Sequence, residues 1–148
     1  MSKYEVTKKY LRQVRHMDNV ITNRLREREK LHATLTNVGG IMKPDKVQTS
    51  GSKDRIGDGV TKLVALEEEI NALIDKMVDT KRVIIDQLES LSDTKYYQIL
   101  YMRYIDDKSF GEISGALNMP ECSVKRHHNK GMDEFESRFG TTYMKKSQ

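Results

Sequence analysis

Residues 109–131, SFGEISGALNMPECSVKRHHNKG, decide the reading of this chain, because every local feature in them has a structural use. Counting from Ile113, apolar residues recur at Leu117, Met119 and Val124, and Ser114 is small where two crossing helices need room. Asn118 tolerates the left-handed conformation that ends a helix, and Pro120 suits the first turn of the next, where no amide donor is needed. The spacing predicts a helix, a sharp turn and a second helix, with Ser109 able to cap the first.

Steps of about 100° per residue from Val124 place His127, His128, Gly131 and Phe135 on the inward face of the second helix. Cys122, Arg126, Asn129 and Lys130 point outward, flanked by Ser123 and Lys125. This outward face is short, polar and cationic. Arg makes bidentate contacts to guanine and Asn to adenine, while Lys and Ser reach phosphates or single base edges. An ordinary helical pair with a solvated polar face has the same periodicity. The coincidence of small residue, turn residue, apolar spacing and basic face favours a helix-turn-helix that binds double-stranded DNA. Arg126 and Asn129 are then the base readers, and Lys125 with Ser123 makes mixed contacts. Lys130 and Lys108 are assigned to phosphate, with Ser109 beside them at the start of the first motif helix.

Outward from this stretch, Asp93–Ile105 reads as a further helix with Ser92 as its N-cap. Its Tyr96, Tyr97, Tyr101 and Tyr104 are better read as core and rim packing than as a base-stacking platform, since a short helix before such a motif normally walls its core. From about Lys3 to Thr36 there is no Pro or Gly, and Tyr10, Leu11, Val14, Met17, Ile21, Leu25, Leu31 and Leu35 recur at helical spacing, with Arg28 interrupting the seam. Residues 37–59, NVGGIMKPDKVQTSGSKDRIGDG, read as a long loop. Gly39 and Gly40 stop a helix there; no strand precedes them and no Gly-Lys-Ser/Thr follows, so a phosphate cradle is rejected. A second long helix spans about Gly59–Ser90, with Leu63, Ile70, Ile74, Met77, Ile84, Leu88 and Leu91 as its apolar seam and Glu67 and Lys81 as interruptions. Two helices of roughly thirty residues, each about 45 Å long, cannot bury such stripes alone. An antiparallel hairpin is the first expectation, and a homo-oligomer, a dimer through the long helices, the second. The resulting organisation is an all-α chain: a helical hairpin over 1–91, a three- to four-helix domain over 92–138, and a flexible tail over 139–148.

The 148 residues are 36% hydrophobic and 32% charged, which fits one small domain with an extended appendage better than one large core. The single Cys excludes an intramolecular disulfide framework, and no signal peptide or apolar span of membrane length is present, so the reading is a cytoplasmic protein without a membrane partner. The net charge of +4 is uneven: residues 1–58 hold 13 Lys and Arg against 7 Asp and Glu, 59–91 hold 4 against 7, and 92–148 hold 9 against 8. The basic excess lies in the first helix, where pairing with the acidic second helix is preferred to extra phosphate contacts or an acidic partner.

Catalytic and metal chemistry find little support. Cys122, His127 and His128 lie about 140°, 240° and 100° apart around a helix and cannot converge on one ion. Nothing supplies a base for Cys122 as a nucleophile. Glu67, Glu68 and Glu69 with Asp75 and Asp79 read as a solvated acidic face. No cofactor, metal or enzymatic activity is expected.

Leu91–Phe135, LSDTKYYQILYMRYIDDKSFGEISGALNMPECSVKRHHNKGMDEF, resembles the promoter −35-binding region four of bacterial primary-type sigma factors, including an "L-x-x-R-Y" pattern within Ile99–Tyr104 and the spacing to "E-I-x-x-x-L". With its DKVQTSGSKD stretch and long charged helices, the whole chain resembles small phage and prophage sigma-like transcriptional regulators. By position, the resemblance implies DNA contacts at Glu121, Cys122, Ser123, Lys125 and Arg126. Cys122 and Ser123 stand where such proteins often carry charges, so the −35 preference does not transfer, and nothing resembles the region that opens the −10 element. The resemblance implies a promoter-binding regulator of phage genes, late ones first, working beside host RNA polymerase in the cytoplasm of the host cell. Two alternatives stay open: a small-terminase-like DNA-packaging subunit, and a factor that grips polymerase or a sigma factor without touching DNA.

Overall fold

The computed structural model describes residues 3–40 and 50–144, with side chains described for 3–37 and 56–144, and every regular element among them is a helix. The chain is all-α. The helices are α1 (Glu5–Leu11), α2 (Gln13–Gly40), α3 (Ser50–Glu89), α4 (Thr94–Leu100), α5 (Phe110–Leu117) and α6 (Glu121–Met144), with a π-helical turn at Tyr101–Ile105 after α4. Among the described residues no helix is long and apolar enough to cross a membrane.

Two compact units divide the chain, one joining residues up to His16 with those from Met77 onward, the other covering Met17–Lys76. In the first, Leu11, Val14, Ile84, Leu88, Leu91, Leu100, Tyr104, Met132, Phe135 and Tyr143 form the main core, and Ile99, Ile113 and Val124 form a second cluster with Phe110, Leu117 and Met119 against it. The second cluster holds the apolar set expected of the motif. The first shows what periodicity cannot: α1 packs on α6. Tyr4 Oη donates to Asp133 Oδ1 at 2.6 Å, and buried Thr7 donates to Glu136 Oε1 at 2.7 Å while accepting from Tyr143 Oη at 2.8 Å. Tyr4 carries φ 70, a backbone state disfavoured for an aromatic residue, and these bonds hold it there.

Within Met17–Lys76, α2 and α3 run antiparallel: Arg24 Nε lies 3.3 Å from Glu69 Oε1, and further out Leu35 packs on Gly59. A Cβ on Gly59 would run into the Leu35 Cδ2 methyl, so a larger residue there would force the leucine side chain to shift. Ile21 and Ile70 are buried, whereas Leu25, expected on the seam, is 38% exposed.

Several boundaries differ from those read in the sequence. Helix occupies 37–40 and 50–59, which were expected in the loop; at Gly59 the low helix propensity is offset by packing on Leu35, and the centre of that loop, 41–49, lies outside the described residues. The first long helix breaks at Arg12. The N-cap of α4 is Asp93, whose side chain accepts from Lys95 N, and Ser92 instead donates its backbone N–H to Glu134 Oε2 at 2.9 Å. Residues 139–144, expected as tail, belong to α6, where Phe135, Phe139 and Tyr143 form an aromatic run and Tyr143 is 7% exposed; 145–148 lie outside the described residues.

Candidate functional site

The turn between α5 and α6 is built by local chemistry. Ser109 Oγ accepts from Glu112 N at 3.1 Å and Glu112 Oε1 accepts from Ser109 N at 3.3 Å, a reciprocal capping box. Asn118 ends α5 at φ 52, ψ 46. Ser114 then ties the turn shut, its backbone oxygen accepting from Met119 N and its hydroxyl donating to Met119 O. Its small size thus serves a hydrogen bond as well as space.

Helix α6 is anchored by its inward side. Val124, His128, Gly131, Met132 and Phe135 are buried. A Cβ on Gly131 would meet Tyr96 Cβ at 3.0 Å and Leu100 Cδ1 at 3.3 Å, so this glycine sets how closely α4 approaches α6. His128 is 3% exposed and hydrogen-bonds through both nitrogens, Nε2 to Tyr104 Oη at 2.6 Å and Nδ1 to Asn129 Oδ1 at 3.0 Å. Asn129 Oδ1 only accepts, so Nδ1 carries the proton and neutral Nε2 accepts from Tyr104. Burial pushes the His128 pKa below its ordinary 6.5; the Asn129 bond opposes this, and Lys8, Arg103 and Arg12 add to it. Burial likewise pushes Tyr104 up to about 12, against the nearby Arg12 and Arg103. His127 donates from Nδ1 to Ser123 O at 2.7 Å. Both histidines are engaged within the fold.

The opposite side of α6 faces solvent. Glu121, Cys122, Lys125, Arg126, Asn129 and Lys130 are exposed and Ser123 is half-buried. Lys125 pairs with Glu121 at 3.5 Å, both well exposed, a contact worth little and easily exchanged. Arg126 and Lys130 have no ion pair among the described residues, so their charge is available to a ligand. Asn129 differs: its side-chain oxygen serves His128 and its backbone oxygen accepts from Tyr4 Oη at 3.3 Å, leaving its amide nitrogen as the free donor. At the start of α5, Lys108 is half-buried and Ser109 exposed. Ser109 Oγ uses a lone pair for its cap and keeps its O–H for donation.

The π-helical turn fixes the remaining wall. Asp106 N donates to Tyr101 O at 3.1 Å, five residues back, and Arg103 then donates to Lys108 O at 3.0 Å while its guanidinium lies 4.4 Å from the Phe110 ring centroid. Lys125 Nζ is 5.8 Å from the same ring. Of the four tyrosines expected here, Tyr104 is buried and Tyr96, Tyr97 and Tyr101 are half-buried. A part of the surface that helical spacing did not single out comes from α1 and the start of α2, where Arg12 Cζ lies 5.3 Å from the Tyr104 ring and Arg15 Nε lies 3.7 Å from Asp107 Oδ2. Among the described residues no three of His, Cys, Asp and Glu are grouped as metal ligands would be.

The chain belongs to the family described as "Protein of unknown function (DUF1492)", which matches residues 35–136. No curated protein and no solved structure matches it.

Proposed function

We propose, for this member of a family without an assigned activity, a sequence-specific duplex-DNA-binding role in transcription, with α5 and α6 acting as a helix-turn-helix. The observation that carries the reading is the exposed face of α6. Arg126 and Lys130 stand there without ion pairs among the described residues, on a helix whose other side is locked into the core. A helix entering a major groove needs this division between a rigid inward face and free polar side chains near its N-terminus. Arg126 reads a base edge, and Asn129 contributes its free amide donor. Lys125 and Ser123 contact base and backbone, Glu121 and Cys122 border the groove, and Lys130, Lys108 and Ser109 hold phosphates. The resemblance to sigma region four extends the proposal to promoters of phage genes beside host RNA polymerase, with no reaction catalysed.

Selection of bound sequences from a random duplex library tests this. Enrichment of one motif is expected. On that motif Arg126→Ala should cost about 1–3 kcal/mol, and Lys130→Ala should weaken all duplexes alike. If no duplex is enriched, the reading fails; a ring of many subunits would then point to packaging, and retention of polymerase without DNA to a protein-binding factor.

A further inference from the structure

The basic excess of the first 58 residues leaves part of its charge unpaired in the structure. Lys8 and Arg12 lie four apart, and backbone bonds from Arg12 N to Lys8 O and from His16 N to Arg12 O, each 2.9 Å, carry one helical row across the break between α1 and α2. Along this row runs a groove of about 590 Å³ lined by Glu5, Lys8, Lys9, Arg12, Gln13 and His16. Among the described residues neither Lys8 nor Arg12 has a carboxylate partner within ion-pair distance. Arg15, on the adjoining turn, does have one, and its contact with Asp107 masks the acid that immediately precedes Lys108 and Ser109.

The row is also placed beside the face proposed to read DNA. Tyr4, one turn before Lys8, bonds the backbone oxygen of Asn129, and Arg12 covers Tyr104, which holds the neighbouring His128. Lys8, Arg103 and Arg12 all lie close enough to His128 to disfavour its cation. Of the nearby acids, Asp133 is engaged by Tyr4 and Lys3 and Asp107 by Arg15; Glu5 lines the groove and is outnumbered there by Lys8, Lys9 and Arg12. A cationic row whose own helices touch α6 through Tyr4 and the turn before α5 through Arg15 suits a polyanion that continues past both. A lone small anion has no need of such length.

We propose that Lys8 and Arg12 form a second contact tract for the phosphodiester backbone of duplex DNA, continuing the surface made by α6, Lys108 and Ser109. The inference rests on the DNA-binding reading above. Each phosphate neutralised by a fixed cation releases condensed counterions and steepens the salt dependence of binding by about 0.9 in log–log slope. The test is titration of the full chain and of Lys8→Ala/Arg12→Ala against a mixed-sequence 30-base-pair duplex at several salt concentrations, with helicity followed by circular dichroism. The double variant should keep its helicity and bind with a slope shallower by about two units. Lys62→Ala/Lys76→Ala should leave the slope unchanged. Should loss of the Arg12–Tyr104 contact unfold the double variant, Lys8→Gln alone is expected to flatten the slope by about one unit. Wild-type binding with an unaltered slope in a folded Lys8/Arg12 variant would overturn the tract and leave the α6 reading intact. Absence of any duplex binding by the wild type would overturn both.

Discussion

Tyr104 and His128 meet where the π-helical turn faces α6, and their contact makes the fold sensitive to acid. With both nitrogens engaged and burial disfavouring its cation, His128 has a folded pKa below its ordinary 6.5. Above pH 6.5 the imidazole is neutral in the folded and unfolded chain alike, so its full contribution to stability is present. As the pH falls below 6.5 the unfolded chain takes up the proton first, and that contribution is lost progressively down to the folded pKa. Denaturant melts at pH 7.5 and 5.5 should therefore show a drop in stability for the wild type and a smaller one for His128→Leu. Equal drops would mean that His128 does not titrate as its surroundings require. Tyr104→Phe should cost about 1–3 kcal/mol at pH 7.5, because it leaves a buried ring nitrogen without its donor.

Among the elements, α4 and α6 are held together by an absence of atoms. Gly131→Val adds a branched side chain where a single Cβ already reaches 3.0 Å from Tyr96 Cβ, and should destabilise by about 1–3 kcal/mol, read as a lowered Tm. A stability equal to the wild type would show that the two helices can separate at no cost. Much of this layer was legible beforehand. The αL residue Asn118, the cap at Ser109 and the inward set around Val124 follow from rules of one or two turns, and the structure has all three. Legibility ended where the deciding partner lay far along the chain. Gly59 read as the end of a loop because Leu35 was not visible as its neighbour, and Ser92 read as a cap because Glu134 was not visible as its acceptor. The π-helical turn has no periodicity signature in five residues. For the candidate site, outward-facing residues could be assigned by angle, but the engagement of the Asn129 oxygen by His128 depends on Tyr104 orienting that ring. Lys8 and Arg12 were seen only as charge, since nothing local says that α1 packs on α6.

For the whole molecule, the two units should differ in local stability. Ile21 and Ile70 are the buried large hydrophobics among the described residues of Met17–Lys76, whereas the other unit buries Leu11, Ile84, Leu88, Ile99, Leu100, Tyr104, Met132 and Phe135. Hydrogen exchange should accordingly be faster at amides of 17–37 and 56–76 than in α4 and the first half of α6, since opening free energy follows buried apolar contact. Uniform protection would indicate that Met17–Lys76 is covered by something beyond this chain, a second copy included. The unit built from both ends of the described chain also has a history in time. Tyr4 and Thr7 find Asp133 and Glu136 across 129 residues, and at about 5–20 residues per second a ribosome needs on the order of ten seconds to supply those partners. Throughout that interval the inward side of α1, with Leu11 at its centre, is a nascent apolar surface open to chaperones, and the basic row that flanks it takes up its place only when α6 has left the exit tunnel.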